Sequence, residues 1–557
     1  MPTPQQVLQQ AVDQALLSFE ISGAPADALQ VVPTANAQFG DYQFNGALPL
    51  AKILKQNPRA LATQIVAALQ VDDISAPPEI AGPGFINFRL KADWLAAAAA
   101  VAIVDPRHGV PLTEHPRKAL VDYPSPNVAK PLHVGHIRPA FIGEAISRLL
   151  RFAGHEVVTD NHIGDWGTPI GKVIVGWRKY RDEAAFARSP LDEMGRLYKL
   201  VHEEGLADPA KLNEARATTA ALQSGDPDTL AVWETLRAAS QVELDALYQR
   251  IGVQTDVTLG ESFYNTMLEP VVEDLIATGI ARQSEGAIII PFEEPPHLRD
   301  KPMLVRKSDG SALYATTDLA TVKYRIERWD LDEMIYVVDA RQSDHFRQLF
   351  AAVKLWGYDV AMHHIAFGTI LGEDGRPIKS KDGSPPLLNG LLDEAAIQEI
   401  ARIVGVGAIK YADLAPNRTS DYLFSWDKML ALTGNTAPYL QYAYVRTRSL
   451  RREAARRAIA WPAEPLLVLE APAELGLAKH CLQFGEVIAA ALADYRPHVL
   501  GEYLFELAGK YSTFWHDCPV LTSESPLRES RMWLGQFTGD ILQCGLGLLG
   551  IETIEQM

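Results

Sequence analysis

Val121-Asp122-Tyr123-Pro124-Ser125-Pro126-Asn127-Val128-Ala129-Lys130-Pro131-Leu132-His133-Val134-Gly135-His136-Ile137-Arg138-Pro139 is the stretch on which the reading of this chain turns. Ala119 to Val121 form a short apolar strand, and Ser125-Pro126-Asn127 followed by Pro131 enforce an irregular loop. A helix then begins near His136. Ile137, Phe141, Ile142, Ala145, Leu149 and Phe152 recur at helical spacing, and Gly154 supplies the stop. His133 and His136 therefore flank a strand-to-helix junction, where free backbone amides and the positive end of the helix dipole favour an anion such as phosphate. Gly135 leaves room for a flat base against the backbone. Both histidines can donate to phosphate oxygens; two loop histidines beside a helix cap is the plainer alternative.

The Pro-Asn-Val-Ala-Lys-Pro-Leu-His-Val-Gly-His-Ile-Arg block resembles the HIGH signature of class I aminoacyl-tRNA synthetases in its arginyl form, as does Asn161-His162-Ile163-Gly164-Asp165-Trp166-Gly167-Thr168 downstream. The resemblance implies a multidomain α/β chain: a Rossmann-like parallel-sheet catalytic domain at 113–428, preceded by a small α+β domain at 1–112 and followed by an all-α bundle at 429–557. Its length of 557 residues fits about three or four cores.

Composition sets the outer limits. An apolar fraction of 47% suits a globular protein. The most apolar window, Trp94 to Val104, is too short to span a bilayer and is bracketed by Asp93 and Asp105. No secretory leader is read at the start, and no membrane is expected. Cys481, Cys518 and Cys544 are widely spaced, which points to a reducing, cytoplasmic setting and away from a structural metal site. The net charge of −17 argues against a wholly basic surface, but a local basic patch is enough for RNA.

In the first domain, Val7, Leu8, Val12, Leu16, Leu17 and Phe19 predict an amphipathic helix. Helices are expected over 48–54 and 60–69, with Asn57-Pro58 between them, and Gly82 to Leu90 alternates as an edge strand. The loop holding Asn36, Phe39, Asp41 and Gln43 resembles the part of arginyl-tRNA synthetases that contacts the corner of tRNA. An exposed Phe beside amides can stack on an unpaired base, whereas the alternative is a Gly-Asp turn over core aromatics.

Glu156 to Asp160 complete a βαβ unit with the first strand and helix, and a nucleotide would sit at the strands' carboxyl ends. From about 180 to 255 the pattern is helical, with Leu197, Leu200, Val232, Leu236, Leu244, Leu247 and Ile251 as core candidates, and reads as an insertion. The sheet is expected to resume with 287–290, 302–306, 334–338 and 365–370. Tyr314 and Asp318, four apart at a helix entrance, can converge on one ligand.

The family resemblance assigns Asp122, Asn127, His133, Tyr314, Asp318 and Gln342 to arginine. A guanidinium is a planar fork of donors without acceptors, so Asp318 would take it, preferably bidentate, with Tyr314 closing one side. Asp122, Asn127 and Gln342 would hold the ammonium, the carboxylate and the remaining polar edge. Lys130, His133, Gly135, His136 and Lys381 are expected at ATP, and of these Lys130, His133, His136 and Lys381 would carry the catalysis. Lys381 lies in Ile378-Lys379-Ser380-Lys381-Asp382-Gly383, which resembles a degenerate KMSKS loop in which Ile378 replaces the first lysine. Magnesium is expected on the phosphates, held by substrate oxygens and by no dedicated protein site.

Asn435 to Arg457 reads as one helix carrying Tyr439, Tyr442, Tyr444 and a run of arginines, followed by helices over about 475–495, 500–515 and 527–549. By resemblance this bundle binds the anticodon region through Arg446, Arg448, Arg451 and Arg452; from charge alone it is an ordinary solvated face. The whole reading is an arginine–tRNA ligase acting as a monomer on ATP, L-arginine and tRNA(Arg). Rivals are a small-molecule nucleotidyltransferase, a synthetase-derived RNA-binding module, and a ligase for another amino acid.

Overall fold

The computed structural model describes residues 1–19, 25–128, 134–372, 374–376 and 399–556. Helix α1 (Pro4–Leu16) opens the chain, closed at its start by a reciprocal capping pair. The Gln6 N–H donates to Thr3 Oγ1 and the Thr3 N–H to Gln6 Oε1. After it come β1 (Val31–Pro33), β2 (Tyr42–Phe44), α2 (Ala47–Leu54), α3 (Pro58–Ala68), β3 (Glu79–Ala81), β4 (Phe85–Phe88) and α4 (Ala92–Val104).

The four strands form an antiparallel sheet in the order β1-β2-β4-β3. The 82–90 segment was expected at an edge, but β4 is interior, with Ile86 and Phe88 fully buried. Alternation identifies a strand with one face on a core; it does not reveal whether both its backbone edges are paired.

The catalytic sheet begins with β5 (Lys118–Asp122), passes through α5 (Ile137–Ala153), and returns in β6 (Glu156–Asp160), parallel to β5 and in register from Lys118–Glu156 to Asp122–Asp160. Helix α5 ends where the sequence placed its stop, on Gly154 in the left-handed region at φ 99°. It also lies against the loop after β5: a Cβ on Gly143 would come 2.2 Å from the Tyr123 ring.

Five helices follow: α6 (Thr168–Tyr180), α7 (Glu183–Arg188), α8 (Pro190–Ala207), α9 (Pro209–Gln223) and α10 (Pro227–Arg250). The helical region thus starts a whole helix before residue 180. Leu197, Leu236, Leu244, Leu247 and Ile251 are buried in it, while Leu200 and Val232 are only partly covered. Helix α11 (Leu268–Ala277) leads to β7 (Arg282–Ser284), β8 (Ala287–Ile290) and β9 (Met303–Arg306). These strands do not rejoin the catalytic sheet as expected; they pair with one another, antiparallel, as a separate three-stranded sheet.

Helix α12 (Tyr314–Trp329), β10 (Glu333–Tyr336), α13 (Ser343–Leu355) and β11 (Ala361–His364) complete the core. The strand expected at 365–370 lies earlier, as β11. Ile370–Leu371 (β12) pairs instead with Tyr422–Leu423 (β13).

The catalytic sheet is wholly parallel, in the order β11-β10-β5-β6. Its two faces have different neighbours. Ala119, Val121 and Ile335 pack with α5, while Leu120, Met334 and Tyr336 on the opposite face pack with α12 and α13.

Helices Glu399–Leu414, Ala437–Arg456, Pro472–Leu482, Phe484–Ala493, Pro497–Asp517 and Leu527–Leu548 form the bundle, the expected 475–495 helix being broken at Gln483. The first domain is strapped to this bundle. Lys479 pairs with Asp41 at 2.6 Å, and Glu486 Oε1 accepts from the Gln5 N–H at 2.9 Å and from the Tyr42 hydroxyl at 2.8 Å. Burial pushes the Glu486 carboxyl up to about 7.

Candidate active site

In the catalytic sheet the chain leaves β5 for β6 on one side and returns with β10 on the other. The carboxyl ends of β5 and β10 therefore border the switch point, the place where open parallel sheets bind ligands. Three stretches distant in sequence meet there.

The loop after β5 is held by the Asn161–Gly164 stretch. Ser125 sits in the left-handed region at φ 52°, where a side chain is strained. It is kept there by its N–H donating to Asn161 Oδ1 at 3.1 Å, its hydroxyl donating to Asp122 Oδ1 at 2.6 Å, and the His162 N–H donating to its Oγ at 3.1 Å. Asn127 bridges to Gly164 as an isolated parallel pair, with the Gly164 N–H donating to the Pro126 carbonyl at 2.9 Å. The two motif blocks thus form one backbone-paired platform. Beyond it, Val134–His136 make a 3-10 turn into α5, so Gly135 and His136 stand at the helix entrance as expected. Buried Arg138 fixes that entrance, its Nε 2.7 Å from Asp413 Oδ1 on helix Glu399–Leu414.

Asp122 follows Leu120 by two and so shares the face that meets α12. There it encounters Arg325, fully buried, whose Nη2 lies 2.6 Å from Asp122 Oδ2 and 2.7 Å from Asp160 Oδ2. Arg325 therefore staples the carboxyl ends of β5 and β6. With one oxygen on Arg325 and the other on Ser125, Asp122 is not the free carboxylate that the sequence reading offered to an ammonium. Its first duty is structural.

Helix α12 delivers Tyr314 and Asp318 to the cleft, one turn apart and on the same side. Tyr314 is 66% exposed. Asp318 is met by His345 of α13, whose Nε2 is 2.6 Å from Asp318 Oδ2, and the His345 ring stands edge-on to Tyr314 at 4.9 Å. The exposed Gln342 forms the entrance of α13 beside them. Glu261, in the segment following α10, completes an acidic wall. Its carboxyl is pushed up to about 7, by burial first and then by the neighbouring charges of Asp318 and Asp165, against an opposing pull from His162. The Tyr336 hydroxyl is also raised, by burial first and then by Asp122 and Asp318, so carboxylates from β5 and α12 share one environment.

His345, Glu261 and Arg325 were not singled out from the sequence. His345 stood in plain view three residues after Gln342. Glu261 and Arg325 had no local signal, because their partners are far away along the chain.

Lys130, His133 and the 378–383 loop with Lys381 lie outside the described residues. In the first domain the four expected RNA-contacting side chains divide. Phe39 is 48% exposed, and Asn36 is exposed while capping the turn 37–39. Asp41 instead binds Lys479 and the Leu90 N–H, and Gln43 donates to Asn87 Oδ1 at 2.6 Å. On Ala437–Arg456 the arginines also divide. Arg448 is paired with Asp540 at 2.8 Å and lies over the Tyr444 ring, so it belongs to the bundle's own packing. Arg446 lies over exposed Tyr442, Arg451 over Trp461, and Arg452 donates to the Glu555 carbonyl at 2.8 Å. Arg451 and Arg452 remain exposed.

A parallel sheet whose switch point opens onto the Gly135–His136 helix entrance, with a helical bundle behind it, defines a class I aminoacyl-tRNA synthetase. The chain matches the family models for the tRNA synthetases class I (R) catalytic domain over 100–403, the DALR anticodon binding domain over 440–557, and the arginyl tRNA synthetase N terminal domain over 6–90. It belongs to the arginyl-tRNA synthetase family. A curated arginine–tRNA ligase from Cyanothece sp. is 42% identical, with 96% of each chain covered. Among solved structures, the arginyl-tRNA synthetase of Plasmodium falciparum superposes with a TM-score of 0.84 at 26% identity, covering 100% of both chains. That of Thermus thermophilus gives 0.83 at 26% identity, covering 99% of this chain and 100% of that one.

Proposed function

We propose that the cleft between β5 and β10 binds arginine by its guanidinium against Asp318 and Glu261, with the ammonium and carboxylate toward Asn127 and Gln342 and the nucleotide over Gly135 and His136. As a member of its family the chain is an arginine–tRNA ligase. An oxygen of the arginine carboxylate attacks the α-phosphorus of ATP, the bond to pyrophosphate breaks, and arginyl-adenylate forms. The terminal 2′-hydroxyl of tRNA(Arg) then attacks the acyl carbon and AMP leaves. No protein nucleophile is needed, so orientation and stabilisation of phosphate charge carry the rate.

The α5 entrance supplies backbone amides and a favourable dipole to the phosphates. In this reading Lys130, His133 and Lys381 add positive charge there. Magnesium is assigned to the phosphate oxygens of ATP, since this small, hard cation keeps most of its shell as water and substrate oxygens. For tRNA, the favoured surfaces are the exposed Asn36–Phe39 turn and the Tyr442, Arg451 and Arg452 side of the bundle. The protein is taken to be a monomer, and cytoplasmic in keeping with its three free cysteines, two of them buried.

The observation that carries the substrate assignment is the pair of carboxylates, Asp318 and Glu261, in one cleft beside an exposed tyrosine. That is the complement of a planar cation with donors and no acceptors. Arginine-dependent pyrophosphate exchange, with and without tRNA, tests it. Asp318→Ala is expected to raise the arginine KM about 100-fold, the scale of one lost charge-assisted contact, while the ATP KM stays within about twofold. Equal effects on the two substrates would refute the pocket.

A further inference from the structure

Asp318 has two oxygens, and one is already engaged. His345 Nε2 stands 2.6 Å from Asp318 Oδ2. A carboxylate only accepts, so the imidazole carries its proton on Nε2 and donates it. The ring has little freedom to turn. Its side chain is 12% exposed, with the Tyr314 ring at 4.9 Å on one side and the Phe346 ring at 5.5 Å on another. The buried Phe346 beside it anchors α13 in the core below α12, so the donor comes from a fixed platform. A free aspartate on a helix surface samples several rotamers; one gripped at Oδ2 keeps its Oδ1 edge in one direction.

We propose that His345 is a positioning residue for arginine recognition. It holds Asp318 by Oδ2, turns Oδ1 toward the guanidinium, and sets the Tyr314 ring at the mouth of the cleft. The guanidinium then meets Asp318 through one oxygen and not through both, leaving the rest of its donor fork for other acceptors in the wall. The inference depends on Asp318 facing the guanidinium, as proposed above.

The test is pyrophosphate exchange in the presence of tRNA with four proteins: the parent chain, His345→Phe, His345→Gln and Asp318→Ala. Phenylalanine keeps the ring packing on Tyr314 and Phe346 but removes the donor. Glutamine places an N–H at nearly the reach of Nε2. His345→Phe is expected to raise the arginine KM about tenfold, the scale of one oriented charge-assisted hydrogen bond, with kcat and the ATP KM within about twofold. His345→Gln should recover most of that loss.

If His345→Phe leaves the arginine KM unchanged while Asp318→Ala raises it, His345 merely pins α13 to α12, and the inference falls while the pocket stands. If Asp318→Ala also leaves it unchanged, the pocket assignment fails first. Should the phenylalanine variant melt early by circular dichroism, His345→Met against His345→Gln asks the same question, since the two are close in size and only one donates. Equal arginine KM values for that pair overturn the proposal.

Discussion

The carboxylates around the switch point and the arginines of helix Ala437–Arg456 are both dense runs of one charge, and in both the fold divides them into used and available. At the strand ends Asp122 and Asp160 share Arg325 out of reach of water, while Asp318 and Glu261 are only partly covered. On the helix Arg448 is consumed by Asp540 and Tyr444, while Arg451 and Arg452 face outward. The difference lies in what surrounds the division. In the cleft the committed charges are fully buried and hold the scaffold on which the open ones are aimed. On the helix the committed arginine is only partly covered, and the open ones are aimed by nothing more than a ring or a carbonyl. The first arrangement suits recognition of one small cation; the second suits a long polyanion that tolerates imprecision.

The sharpest way to break this contrast is Arg325→Met. Removing one member of a buried ionic cluster strands the other two, so the variant is expected to lose about 3–5 kcal/mol of stability in urea unfolding. A midpoint unchanged from the parent would mean that the strand ends do not depend on it.

Next in size is the pH response of the cleft. With the Glu261 carboxyl up at about 7, it is mostly neutral at pH 6 and mostly charged at pH 8, so the arginine KM should fall about tenfold over that interval. Glu261→Gln should flatten the profile. In the ligand-free protein the sign reverses. A raised carboxyl contributes stability that is fully present below its ordinary range near 4.5 and is lost as pH climbs through about 7.

The smallest effects separate the arginines. Arg448→Gln should cost about 1 kcal/mol of stability and leave the salt dependence of tRNA binding unaltered. Arg452→Gln should leave stability alone and reduce the slope of log K against log salt by about one. If the two variants behave alike, the helix face is uniform and the contrast dissolves.

Local pattern carried the βαβ unit almost intact. Glu156–Asp160 was read to the residue, and α5 begins one residue after His136 and stops at Gly154. What the pattern could not carry was partnership. Ala287–Ile290 has the apolar run of a central parallel strand, yet its partners are β7 and β9, and nothing in four residues states which neighbours will arrive. The same holds in the site. Tyr314 and Asp318 were legible because a helical turn links them, whereas Arg325, 203 positions from Asp122, belongs to the strand ends only after folding. Asp41 and Gln43 show the same limit. Their neighbours Lys479 and Asn87 take up the groups that the loop alone left free for RNA.

Asp41 on Lys479, and Tyr42 with Gln5 on Glu486, make the first domain and the bundle two jaws of one calliper. The span between Phe39 on one jaw and Arg452 on the other is thereby fixed by the protein. An RNA that touched both would have to match that span.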